Sequence, residues 1–399
     1  MGAHSLRLPK NGCESLSGLK LNIPAKMDLN TPAPRSSCLV VCCVDIADSR
    51  WRWIEGPLAD TGIRFEFVRA LPRNLIERRI SLLNLARLRG SFEAVRLARE
   101  KKAHAIVSHG PALAAWCGLF ARVLRLKIPI VAHTFNFTEL PSAFKRPVLG
   151  WMLSNVDRLI VFSRLERSLY AKAFDLPEDH FDVIRWGVKP PDVDSPEVPL
   201  EPGEYVCAIG GNARDYGTLL EAARAMPHIR FVFVVRPESL RGLDIPPNVT
   251  VHTNLPFGQA MNILMHSRFM VLPLLHSEVP CGHVTIVAAM HLGKAFIITD
   301  SEGVRDYVQH GYNALTVPPH STTALVEATQ LLWSAPVLCE SLGENGRRFA
   351  RRQCTEERVV QHFRGWLAAK ELWIPEGSRS ALKAAAEANL RCEQHELVS

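Results

Sequence analysis

The sequence predicts an α/β protein made of two Rossmann-like domains, each a parallel sheet, facing one another across a cleft. Three observations carry this reading. Short β-branched runs alternate with helical patterns along most of the chain, the order expected of a parallel sheet covered on both faces. The alternation breaks once, at a Pro-rich stretch from Lys189 to Gly203, and then restarts. A chain of 399 residues that is 47% hydrophobic is long and apolar enough to bury two cores.

Residues 1–36 mix Pro, Ser, Lys and Asn without apolar periodicity and read as an extension. The first domain is expected over 37–188, with strands near 38–45, 63–68, 104–108, 128–133 and 158–163 and helical segments at 75–102 and 112–126. Residues 189–203 form the linker. The second domain is expected over 204–370, with strands near 204–210, 229–235, 248–252, 269–273, 294–298 and 314–317. Its helices are expected near 216–226, 257–267, 284–292, 304–310 and 321–333. A helical tail, Ala-rich near 376–395, completes the chain over 371–399. Ligands of open parallel sheets bind at strand carboxyl ends, so the cleft between the two halves is the expected site.

Ten cysteines without a CxxC pair, several inside apolar runs, suit a reducing compartment. The first residues lack the apolar core of an export signal, so the expected location is the cytoplasm. The net charge of +7 is too small for a nucleic-acid coat, and no nucleic-acid partner is expected. Residues 69–102 hold ten Lys or Arg against three Glu, interleaved with leucines. This segment is the expected contact with an anionic membrane, which would make the protein peripheral on the inner membrane face.

The stretch from His276 to Asp300 holds the most chemistry. A strand runs into a loop containing Gly282, and a helix opening near Val284 turns its unpaired amides toward that loop, an arrangement suited to phosphate. Gly282 permits close backbone approach and Thr285 offers a hydroxyl. In the first half, His109 and His133 end consecutive strands, with Asn136 three residues beyond. Two spellings mislead. Asp192 and Asp194 have DxD spacing but lie among the linker prolines, and Gly210 with Gly211 never completes a dinucleotide fingerprint.

Residues 277–320 resemble the donor-binding segment of family-4 glycosyltransferases of the GT-B fold. The match runs through Glu278, Gly282, Ala288 to Met290, Gly293-Lys294, Asp300, Asp306, Gly311, Asn313 and Val317-Pro318. Ser163 with Glu166, Trp186 to Val188, and Gly210 to Ala222 are weaker echoes, so the resemblance spans roughly Cys38 to Leu367. It implies transfer of a sugar from a nucleotide-sugar, a UDP- or GDP-sugar, to a hydroxyl on a lipid-linked or polysaccharide acceptor. It also implies retained configuration, with no metal and no further cofactor. The implied donor-binding residues are Gly211, Arg214, Glu278, Gly282, His283, Val284 and Thr285. The implied catalytic residue is His133, with His109 and Asn136 on the acceptor side. Two departures matter: Ala288 stands where the family has its second glutamate, and the glycine-rich loop after the first strand is missing. They motivate the alternatives of a non-catalytic protein that binds a nucleotide-sugar or a partner, and of a sugar-nucleotide epimerase.

Overall fold

The structure is a computed structural model that describes residues 38–47, 54–75, 77, 85–275 and 280–372. The extension 1–36, the tail helix expected near 376–395, Arg78, Arg79 and Glu278 lie outside the described residues. Strands β1 (Cys38–Val44), β2 (Ile63–Arg69), β3 (Ala105–His109), β4 (Ile130–His133), β5 (Arg158–Val161) and β6 (Phe181–Val183) form the first sheet, in the order β2-β1-β3-β4-β5-β6. The second sheet contains β7 (Val206–Ile209), β8 (Phe231–Val235), β9 (Val249–Thr253), β10 (Phe269–Leu272), β11 (Phe296–Thr299) and β12 (Leu315–Val317), in the order β12-β11-β10-β7-β8-β9. All neighbouring strands are parallel. In each sheet the order reverses beside the first strand, and that switch point opens a crevice at the carboxyl ends. The strands are continuous apolar runs because both faces are covered; every residue of β1 is buried.

From β2 the chain steps through β3, β4, β5 and β6 in one direction. Right-handed crossovers therefore place α1 (Leu85–Glu100), α2 (Gly110–Val123), α3 (Arg146–Leu153) and α4 (Arg164–Phe174) on the same face. Among the described residues of this neighbourhood, the opposite face receives the short 3-10 turn Gly56–Thr61. It is closed by a distant helix, α10 (Glu356–Ala369), whose Val360, Phe363, Trp366 and Leu367 pack on Val40, Val107, Val131 and Ile160. The sequence boundary that assigned everything to 370 to the second domain is therefore corrected. The end of the chain thus crosses back to cover this face of the first sheet.

The second sheet is covered by α5 (Tyr216–Ala225), α6 (Phe257–His266), α7 (His283–His291), α8 (Thr322–Ser334) and α9 (Pro336–Gln353). The linker 189–203 has neither helix nor strand. It is anchored rather than loose: the buried Asn262 amide donates to the carbonyls of Asp194, Ser195 and Val198 and accepts from the Leu200 amide. Asp192 and Asp194 belong to this anchored stretch, and the Asp194 amide donates to the Gly258 carbonyl.

The helix expected near 304–310 is replaced by the 3-10 turn Glu302–Val304 and a non-helical segment. Its polar side chains are committed elsewhere. The Asp306 carboxylate accepts from the backbone amide and the Nε of Arg164, both at 2.7 Å. The Tyr307 hydroxyl donates to the Phe162 carbonyl at 2.8 Å and accepts from the Trp186 amide at 2.8 Å. Arg185 Nε donates to the Asp306 carbonyl at 2.7 Å. These bonds join the two domains at the mouth of the crevice. The chain's two crossings also run side by side: Val188 donates to the Cys354 carbonyl, and a Cβ on Gly187 would lie 2.4 Å from the Thr355 carbonyl oxygen. Tyr307→Phe keeps the ring and strands two buried backbone groups, so it is expected to cost about 1–3 kcal/mol. A lowered urea midpoint at unchanged m-value is the predicted result.

Candidate functional site

The site forms where β7, β8 and β10 end. After β7 the backbone turns through Gly210, at φ 122°, and Gly211. A Cβ on Gly210 would lie 2.8 Å from the Arg214 guanidinium, and one on Gly211 would lie 2.7 Å from the Arg236 side chain. The paired glycines therefore make room for two cationic side chains. Arg214 is positioned by an Nη1 bond to the Asn212 carbonyl at 2.6 Å and a longer contact from Nη2 to Thr285 Oγ1 at 3.5 Å. Its Nε is buried without a hydrogen-bond partner. Arg236 Nη1 donates to the Asn212 Oδ1 at 2.9 Å, so one asparagine sits between both guanidiniums.

Across from them, Gly282, at φ 98°, precedes α7, and no side chain caps that helix. The first-turn amides of His283, Val284 and Thr285 lie beyond the reach of the intrahelical ladder, and the positive end of the helix dipole adds to their field. The loop after β4 closes the other side with Asn136, Phe137 and Thr138, joined by Phe162 and Trp186. The result is a cleft of about 370 Å³ with contributions from both domains. Its chemistry suits an anionic, extended ligand: guanidiniums and amides on one wall, aromatic and polar side chains on the other.

The structure thus brings together Asn136, Gly211, Arg214, Gly282, His283, Val284 and Thr285. His283 needs a correction as a polar contact for the donor. Its Nε2 donates to the Gly303 carbonyl at 3.1 Å and its ring packs on Tyr307 and Phe162, while burial holds its pKa below the usual range. It acts as a wedge under the helix start.

His109 and His133 occupy a different place. Both stand at strand carboxyl ends as expected, but they line a neighbouring cavity of about 130 Å³ with Trp186, Arg185, Glu356 and Val359. Their rings stack at 6.5 Å, and His109 Nδ1 lies 3.3 Å from the Thr134 hydroxyl. Burial lowers the pKa of His109 to about 3, and burial together with His109 and His362 lowers that of His133 well below its usual value. Both are neutral imidazoles at pH 7. The cover that buries them is α10, which was not legible as part of this domain.

Two further stretches singled out in the sequence have local ties in the structure. Ser163 and Glu166 form a capping box: Ser163 Oγ accepts from the Glu166 amide at 3.1 Å, and the Glu166 carboxylate reaches back to the Phe162 amide at 2.8 Å. Burial raises the pKa of Glu166 to about 7. The basic run 69–102 is largely neutralised among its described residues. Arg73 pairs with Glu93, Arg87 with Asp45, Arg89 with Glu77 and Lys101 with Glu66. Arg236 is the site residue that the sequence reading missed. It directly follows the apolar run of β8, and the strand-end rule that selected His109 and His133 selects it equally.

Comparisons with known proteins fall into two groups. Residues 56–190 match the family model "Glycosyltransferase Family 4" and residues 205–335 match "Glycosyl transferases group 1". No curated protein is matched by the sequence at a significant level. Among solved structures, a glycosyltransferase from Rickettsia africae is similar at 13% identity and a TM-score of 0.62, over 84% of this chain and 98% of that one. A sucrose-phosphate synthase from Thermosynechococcus elongatus matches at 18% identity and a TM-score of 0.62, covering 84% and 100%. Anabaena Alr3699/HepE in complex with UDP-glucose matches at 14% and 0.60, covering 83% and 99%.

The buried titratable groups set a pH dependence of stability. A histidine whose folded pKa lies below its unfolded value near 6.5 refuses protons that the unfolded chain accepts, so stability falls as pH drops from 6.5 toward the folded pKa. Glu166 has the opposite sign, because its raised pKa favours the folded state between about 4.5 and 7 when the proton is kept. Melting midpoints between pH 7.5 and 5.5 are therefore expected to fall less steeply in His109→Gln than in the parent. In Glu166→Gln they are expected to fall more steeply.

Proposed function

The chain belongs to the GT-B glycosyltransferases of the family-4-like type, and from that premise we propose that it transfers a sugar from a nucleoside-diphosphate sugar to a hydroxyl acceptor. The observation that carries the reading is the anion cradle at the second domain's strand ends: Arg214 with its unpartnered Nε, Arg236 beside it, and the uncapped start of α7. Such a cradle meets the charge that develops on the diphosphate as the bond to the sugar breaks, and it does so with groups held in place before the reaction. Anabaena Alr3699/HepE, a relative in fold, has been crystallised with UDP-glucose, which supports a UDP-sugar as the first donor to try; a GDP-sugar is the second.

In the proposed reaction the bond between the anomeric carbon and the β-phosphate oxygen breaks. The acceptor oxygen bonds to the same carbon from the same face, and the acceptor proton passes to the leaving phosphate oxygen. Configuration is retained, and no protein base and no metal are called on. Asn136, Phe137 and Thr138 form the wall facing the cradle and are assigned to the sugar and acceptor side. Domain walls on both sides of the cleft exclude water that would otherwise hydrolyse the donor. The acceptor class assigned to this site is a lipid-linked saccharide or a polysaccharide.

One observation favours a second reading. Ala288 is buried in the core against which α7 packs, so no carboxylate stands at the position where the family contacts the donor. A protein that binds a nucleotide-sugar without transferring it is the alternative this raises.

Titration calorimetry with UDP and GDP, run on the parent and on Arg214→Ala and Arg214→Lys, tests the reading. Loss of a charge-assisted contact is worth about 1.5–3 kcal/mol, so Arg214→Ala is expected to weaken binding roughly 10- to 100-fold, with Arg214→Lys between. Equal affinity in all three would remove Arg214 from the site. Donor-sugar consumption that depends on added acceptor separates transfer from binding alone and from epimerisation, which would need no acceptor.

A further inference from the structure

Helix α3 and the 3-10 turn Ala143–Lys145 that leads into it present an apolar face to solvent. Phe144, Val148 and Trp151, spaced four and three residues apart on one side, are 77%, 58% and 52% exposed. The opposite side of the helix is the ordinary buried one, with Gly150, Met152 and Leu153 in the core. Helix α2 extends the patch. The two helices approach closely enough that a Cβ on Gly118 would lie 2.4 Å from the Met152 carbonyl oxygen. Arg122 lies over the Trp151 ring at 4.7 Å and donates to the Ser154 hydroxyl, and the next residue, Val123, is 65% exposed.

The rim of this face is basic. Between residues 122 and 146 the chain carries Arg122, Arg125, Lys127, Lys145 and Arg146 against the single acidic residue Glu139. Among the described residues none of these five cations is in an ion pair. The contrast with the run 69–102 is the informative part: there Arg73, Arg87, Arg89 and Lys101 are held by carboxylates, whereas here no described carboxylate neutralises the charge, with Arg122 and Lys145 over the Trp151 and Phe144 rings and Arg146 donating to the Pro141 carbonyl. Exposed Phe and Trp ringed by unneutralised Lys and Arg are the composition of a surface that seats in the headgroup layer of a bilayer.

The position of the face gives it a use. Helix α3 follows directly on the loop after β4, which supplies Asn136, Phe137 and Thr138 to the cleft. Phe144 is therefore at the cleft end of the patch. No described helix is long and apolar enough to cross a membrane. We propose that the face formed by α3 and the carboxyl end of α2 docks the protein on an anionic lipid bilayer, with the acceptor side of the cleft turned toward the membrane. The docking stands on the surface alone; its use in presenting a lipid-linked acceptor rests on the transfer reading above.

Co-sedimentation of the full chain with vesicles of phosphatidylglycerol or of phosphatidylcholine tests it. The parent is expected to bind the anionic vesicles, and binding is expected to weaken at least tenfold in Phe144→Ser/Val148→Ser/Trp151→Ser and in Lys127→Glu/Lys145→Glu. Arg96→Glu/Arg99→Glu, on α1, is expected to bind as the parent does. Melting midpoints and UDP affinity, measured on the same preparations, show whether each variant is folded and whether the nucleotide site survives. A failure of docking is thereby separated from a failure of the transfer reading. Failure of the parent to bind anionic vesicles overturns the proposal. So does undiminished binding by both patch variants, or an equal loss in the α1 variant. A parent dimer in sedimentation velocity that the triple apolar variant dissociates also overturns it, assigning the face to a second copy of the chain.

Discussion

The junction at Asp306 and Tyr307 is the constraint on which the cleft depends. Each domain has its own hydrophobic core, but a crevice with two walls exists only if the strand carboxyl ends face one another at a fixed distance. One tyrosine hydroxyl that serves both the Phe162 carbonyl and the Trp186 amide fixes that distance. One carboxylate that takes both an amide and a guanidinium of Arg164 fixes the orientation. Such bonds contribute modestly to total stability, about 1 kcal/mol each, yet they are directional, which apolar contact is not. The residues they tie down, Phe162 and Trp186, are themselves wall residues of the cleft.

The same junction explains the return of the chain. Right-handed crossovers load one face of the first sheet and leave the other open, and an open apolar face must be closed. Helix α10 does this from the far end of the sequence, and its passage beside Gly187 and Val188 makes the two interdomain crossings neighbours. Closing the face has a chemical result as well: it buries His109 and His133 and keeps both imidazoles neutral.

Much of this was legible in the sequence, for reasons specific to each part. Strands such as Cys38–Val44 and Phe231–Val235 are uninterrupted apolar runs, and a covered parallel sheet leaves no other reading of them. The residues of the proposed cradle were legible because glycines before a helix, an arginine after a strand and an uncapped helix start are local features. What failed were features decided by remote partners. The segment 304–310 looked helical because its apolar spacing suits a helix, but its Asp and Tyr are spent on the other domain. His133 was assigned to the reacting site on its strand-end position, which is correct, while the cover that walls it off comes from residues 356–369. Charge pairing was hidden for the same reason: the basic run 69–102 meets carboxylates, among them Asp45 and Glu66, that only folding brings near.

The central claim is that the second domain's cradle, the Gly210–Arg214 turn and the first turn of α7, holds a nucleoside diphosphate. Amide hydrogen exchange with and without saturating UDP tests it most directly, because backbone amides are the proposed contacts. The account predicts slowed exchange at His283, Val284 and Thr285 and within residues 210–214, with the outer helices unchanged. Unaltered exchange in both segments, under conditions where calorimetry shows the nucleotide bound, would contradict it.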